Sequence, residues 1–193
     1  MRIVAVDLGR SKDPAALVAI EPEADGLWRI CRLDLRRRRD KEAGWGAELA
    51  RWIEPEAGNV LVLDGTGPHR DTALGVLPFT PRSVHVLILQ IRREDASSSD
   101  ARIVCVRKRD LVIALRGGVP STVRCPRGLE HADELRIQLE HFVRLSPDED
   151  PLERWGAEPG YHDDLVMALA MALWTRARMR RLGQEIPWAS SPL

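Results

Sequence analysis

Two short apolar runs, each closed by an aspartate, narrow the folds open to this chain. Ile3-Val4-Ala5-Val6 stops at Asp7, and Val60-Leu61-Val62-Leu63 stops at Asp64. Unbroken apolar runs without alternation fit strands covered on both faces, the habit of parallel sheets in α/β domains. A carboxylate at the end of such a strand is costly when ionised unless it is paired or binds a cation. A third acidic signal, Tyr161-His162-Asp163-Asp164, opens the apolar run from Leu165 to Trp174. Carboxylates brought to one sheet edge repel each other unless a divalent cation neutralises them.

The rest of the chain supplies the frame. Strands are expected at about 2–7, 15–21 and 27–36, joined by turn-rich links at Gly9 to Pro14 and Glu23 to Gly26. Trp45, Leu49, Trp52 and Ile53 give a helical period over 41–54, ended by Pro55. A strand over 59–64 follows, then a short helix running to about 77 and stopped by Pro78, then a fifth strand from Val84 to Leu89. Residues 91–101, polar and Ser-rich, read as a loop. Beyond it come an extended stretch at 102–106, a helix at 108–115, a strand at 122–125 and an amphipathic helix at 130–144. A Pro- and acid-rich excursion fills 146–160, and a last helix covers 163–182. One domain, 1–183, is expected, with a loose tail at 184–193. Three strands, helix, strand, helix, strand and further helices is an order that resembles the ribonuclease H-like fold. The expected architecture is α/β: a five-stranded mixed sheet, an antiparallel meander plus parallel strands, flanked by helices. In that fold the strand after the first helix lies parallel to the first strand, which makes Asp7 and Asp64 neighbours.

Composition excludes several classes. The 193 residues carry 29 basic and 29 acidic side chains, so no uniformly basic nucleic-acid coat exists, and charge placement matters more than its sum. Lys12, Lys41 and Lys108 are the only lysines, leaving arginine as the main phosphate-binding side chain. Three cysteines, Cys31, Cys105 and Cys125, are too few and too dispersed for a disulfide framework or a paired-thiolate zinc site. No apolar stretch nears the roughly 20 residues of a membrane span, and the N-terminus lacks a secretory h-region. A cytoplasmic protein with no membrane partner is expected.

Four stretches carry a closer resemblance: Val4-Ala5-Val6-Asp7-Leu8-Gly9-Arg10-Ser11-Lys12-Asp13, Leu61-Val62-Leu63-Asp64-Gly65-Thr66-Gly67, Val106-Arg107-Lys108-Arg109-Asp110-Leu111-Val112 and His162-Asp163-Asp164-Leu165-Val166-Met167-Ala168-Leu169. In this order they resemble the nuclease domain of the phage large terminase subunit. The His-Asp-Asp start of an apolar helix is the most specific of them. The resemblance implies a two-metal-ion endodeoxyribonuclease that cuts double-stranded DNA with little sequence preference during viral genome packaging in the bacterial host cytoplasm. It implies a terminase ATPase domain, a small terminase subunit and a portal as partners. No G-x-x-x-x-G-K-[ST] loop occurs here, so ATP-driven translocation is not assigned to these residues. Alternative readings are another ribonuclease H-like nuclease, such as a Holliday-junction resolvase, and a non-catalytic docking module for DNA or capsid components.

Two Mg²⁺ or Mn²⁺ ions about 3.5–4 Å apart require a bridging carboxylate, a role that falls to Asp7 on the central strand. Asp64 is expected to hold one ion and Asp163 with Asp164 the other, as the resemblance implies. Hard oxygen donors favour Mg²⁺ or Mn²⁺ over zinc. Each residue also has a local reading. Asp7 and Asp64 precede glycine-containing turns, while Asp163 suits a helix N-cap and Asp164 the positive end of the helix dipole. Asp13 and His162 are expected as accessory groups. Arg10, Lys12, Arg107, Lys108 and Arg109 are the expected phosphate contacts on DNA.

Overall fold

The sheet grows outward from its apolar centre. The computed structural model describes residues 1–9, 14–37, 45–54, 59–92, 102–119, 121–146 and 154–182. Strand β1 (Ile3–Asp7) pairs antiparallel with β2 (Ala15–Pro22), which pairs antiparallel with β3 (Trp28–Arg36). On its other side β1 lies parallel to β4 (Val60–Asp64), and β4 lies parallel to β5 (His85–Arg92). Helix α1 (Trp45–Ile53) makes the crossover between β3 and β4, and α2 (His69–Val76) that between β4 and β5. Beyond them come β6 (Ile103–Arg107), α3 (Lys108–Gly118), β7 (Val123–Arg124), α4 (Ala132–Glu140), β8 (Phe142–Arg144), β9 (Trp155–Ala157) and α5 (Asp164–Arg181). The order across the sheet is β6-β5-β4-β1-β2-β3-β7.

Period-two alternation divides the core into two layers. Ile3, Ala5, Val18, Val60, Val62 and Leu87 face one side and pack with Leu111, Leu135 and the buried length of α5. Val4, Val6, Leu17, Leu61, Leu63 and Ile88 face the other and meet Trp45, Leu49 and Ile53 of α1 and Ala73 and Val76 of α2. Every residue from Asp164 to Leu173 is buried, so α5 has no solvent face over that stretch. A helix apolar all round belongs in a core, and this one lies against β1 and β2. On the opposite layer α1 crosses α2 at Gly46 and Gly75, where a Cβ on Gly46 would run into the Gly75 carbonyl.

The mixed α/β sheet with its meander and parallel neighbours is as expected, but it has seven strands rather than five. Segments 102–106 and 122–125, which the sequence marks as extended, join as edge strands β6 and β7 beside β5 and β3. The amphipathic helix expected over 130–144 stops at Glu140. Phe142–Arg144 instead pairs with Trp155–Ala157, inside the expected excursion, as a separate two-stranded hairpin. Leu139, Phe142 and Val143 keep helical spacing, yet Phe and Val also suit a strand, and a partner remote in sequence decides between the two. The expected stop at Pro78 is a 3-10 turn over Leu77–Phe79, and β5 runs on to Arg92. The segment 93–101 and the tail 184–193 lie outside the described residues.

Candidate active site

Register places the first two carboxylates side by side. Val6 of β1 is opposite Leu63 of β4, so Asp7 and Asp64 leave adjacent parallel strands at the same edge. Each then enters a tight local turn. Gly9 N–H donates to Asp7 Oδ1 at 3.1 Å, and Thr66 N–H donates to Asp64 Oδ1 at 2.8 Å. One oxygen of each aspartate is used by its turn, and Oδ2 takes no hydrogen bond from the described residues. A Cβ on Gly65 would strike Ile88 Cγ2, which keeps this turn tight against β5. Thr66 Oγ1 accepts the Ile91 N–H at 2.9 Å and ties the turn to the end of β5.

The third element is the start of α5. Asp163 stands at the N-cap position but makes no side-chain capping hydrogen bond. Its carbonyl accepts the Met167 N–H at 2.8 Å, while its side chain approaches Lys108 Nζ, 3.6 Å from Oδ2. Asp164 is buried, with His162 Nδ1 3.6 Å from its Oδ2. Leu165 N–H, one of the orphan donors of the first turn, goes to Gln138 Oε1 of α4 at 2.9 Å. Gln138 is itself buried and donates to Glu134 at 3.2 Å. The helix start is therefore capped from another helix, and both adjacent carboxylates are left for other work.

These groups line one cleft of about 520 Å³, with Asp7, Asp64, Asp163 and Asp164 on its walls beside Thr66, His69, Arg92 and Lys108. Burial pushes Asp7 well above the usual carboxylate range, and the charges of Asp64, Asp164 and Asp163 push it further, against a lowering by the Gly9 N–H. The Asp7 side chain keeps some solvent contact, yet surrounding protein displaces most of the hydration a carboxylate prefers. Among the described residues no three Asp, Glu, His or Cys side chains are grouped closely enough to hold a metal ion as they stand. Four hard oxygen donors and no thiolate are a donor set that fits Mg²⁺ or Mn²⁺.

The other expected residues divide. Arg107 is exposed and bound to Asp110 through Nε and Nη2 at 3.1 and 3.2 Å. Arg109 is exposed on α3, and Lys108 enters the cleft. Arg10, Lys12 and Asp13 lie outside the described residues. Sequence reasoning missed Thr66, His69 and Arg92 as cleft residues and Gln138 as the cap on α5. Thr66 follows Asp64 in the same turn, and His69 opens α2 just after it. Arg92 ends the strand beside β4, a signal readable only once β5 is extended past Leu89.

No protein-family model and no curated protein matches the sequence. Solved structures do match the fold. The large terminase nuclease from thermophilic phage G20c, solved with bound magnesium, superposes with a TM-score of 0.60 at 16% identity over 90% of this chain and 80% of that one. The chain has a ribonuclease H-like fold. The human cytomegalovirus terminase nuclease domain is similar to this ribonuclease H-like chain at a TM-score of 0.54 and 10% identity, over 89% of this chain and 82% of that domain. The fowlpox virus Holliday junction resolvase gives a weaker likeness, a TM-score of 0.48 at 11% identity over 94% and 99% of the two chains. No helix among the described residues is long and apolar enough to cross a membrane.

Proposed function

We propose that this protein is a divalent-metal-dependent endonuclease that cuts double-stranded DNA with little sequence preference, as the nuclease of a viral large terminase does. The observation that carries the reading is the meeting of Asp7, Asp64, Asp163 and Asp164, from three elements remote in sequence, in one open cleft. Asp7 on the central strand would serve both cations, Asp64 one of them, and Asp163 with Asp164 the other. When bound, Mg²⁺ or Mn²⁺ stabilises charge on the phosphodiester and lowers the pKa of the attacking water. Burial first, and then the charges of Asp64, Asp164 and Asp163, hold Asp7 above the usual carboxylate range, a setting in which a cation is favoured. His162 steadies Asp164, and Thr66 fixes the Asp64 turn against β5. Lys108 and Arg92 on the walls, with exposed Arg109 and with Arg10, Lys12 and Arg107, supply the phosphate contacts. Asp13 is the accessory carboxylate. A terminase ATPase domain, a small terminase subunit and a portal are the partners that go with this reading, in the cytoplasm of the bacterial host.

Conversion of supercoiled plasmid in Mg²⁺, Mn²⁺, Ca²⁺ or chelator tests it. Cleavage is expected with Mg²⁺ or Mn²⁺ and none with chelator, and Asp7→Ala and Asp64→Asn are each expected to lose at least about a hundredfold in rate. Parent-like cleavage by both variants sinks the catalytic assignment and favours a docking module. Preferential cutting of four-way junctions over linear duplex replaces the terminase reading with a resolvase.

A further inference from the structure

Lys108 stands where helix electrostatics alone would not put it. It is the first residue of α3, at the positive end of the helix dipole, where a cation is disfavoured. Its ammonium is 3.6 Å from Asp163 Oδ2, and among the described residues each is the other's only ion-pair partner. The Lys108 ammonium also lies 6.0 Å from the centre of the Phe142 ring on β8. Gly156 of β9 lies beside the same oxygen, since an added Cβ there would sit 3.6 Å from Asp163 Oδ2. The ammonium is thus held between the hairpin and the helix start, inside the same cleft as the other three aspartates.

The doublet at the head of α5 is consequently divided. Asp164 is buried beside His162, whereas Asp163 is half-exposed and already neutralised by a cation belonging to the chain. We propose that Lys108 is a built-in counter-cation that gates the Asp163 side of the cleft, so that the two divalent-ion positions bind unequally. Asp7 and Asp64 take one ion tightly, and a second ion, served by Asp163 with Asp164, binds weakly because it must displace the Lys108 ammonium from Asp163. Displacement also frees the ammonium to meet a phosphate oxygen, which makes Lys108 a positioning residue that couples loading of the second ion to substrate. The inference rests on the metal-nuclease reading and adds to it the order in which the site fills.

Calorimetric titration of the full chain with Mn²⁺, with no DNA present, tests the gate apart from activity. The parent is expected to show one tight and one weak ion. Lys108→Met keeps the stem that packs toward Phe142 but removes the charge, and is expected to strengthen the weak ion by at least about tenfold while leaving the tight one within about threefold. Lys108→Arg keeps the charge and is expected to keep the parental inequality. Asp163→Asn is expected to lose the weak ion only, a second measurement that serves if the methionine variant fails to fold. Two equal ions in the parent, or a weak ion unchanged by Lys108→Met, overturns the gate while the metal-nuclease reading stands. No Mn²⁺ binding by the parent overturns both.

Discussion

Asp7 is the residue at which fold and chemistry conflict most directly. Its raised pKa means the folded protein holds a proton there that the unfolded chain, with a carboxylate pKa of about 3.9, has already released. That stabilising difference is complete below the unfolded value and is lost as pH rises through the folded one. At neutral pH without metal, Asp7 therefore destabilises the domain. Asp7→Asn is expected to melt higher than the parent in chelator near neutral pH, with the gap closing toward about pH 4, where both side chains are uncharged. A gap that widens on acidification would contradict the assigned environment. The same substitution is expected to remove cleavage, so stability and activity move in opposite directions at one side chain. This conflict was legible early, because an aspartate closing an unbroken apolar run has few inexpensive fates. The Asp163 N-cap reading was legible too, yet the structure gives Asp163 only the position of a cap, since Lys108 takes its side chain.

Among the elements, α5 has the most demanding task. It carries two site carboxylates at its start and then passes through the core without a solvent face as far as Leu173. Neither Asp163 nor Asp164 is spent on capping, so the helix depends on Gln138 of α4. Gln138→Leu leaves the Leu165 N–H buried without that acceptor and is expected to cost about 1–3 kcal/mol, read as a lower denaturation midpoint. Because Asp164 is the next residue toward the N-terminus, the variant is also expected to lose cleavage at temperatures where it remains folded. Nothing in the sequence singles out Gln138, which occupies one position of an amphipathic helix 27 residues from the amide it serves. The early end of α4 was hidden for a similar reason: Phe142–Arg144 turns to strand because Trp155–Ala157 is there to pair with it.

At the scale of the whole molecule, net neutrality conceals a separation of charge. Many arginines are bound to carboxylates on the surface, as in Arg36–Glu48, Arg107–Asp110 and Arg124–Asp25. Acidic charge in the cleft meets far fewer cations, with Lys108 and Arg92 on its walls. Mn²⁺ at a hundred times its dissociation constant is expected to stabilise the parent by about 2.7 kcal/mol, seen as a rise in Tm, and to leave Asp7→Ala nearly unmoved. A parent whose Tm ignores both Mn²⁺ and Mg²⁺ would count against the site. The α/β class, the meander followed by parallel strands, and the acidic ends of β1, β4 and α5 were all written in the sequence, because burial on both faces of a strand and an apolar helix leave local patterns. Which carboxylate meets which cation was not. Lys108 reaches Asp163, Gln138 caps Leu165 and β7 pairs with β3 only after distant segments are packed together, and no local pattern records a contact made by the fold as a whole.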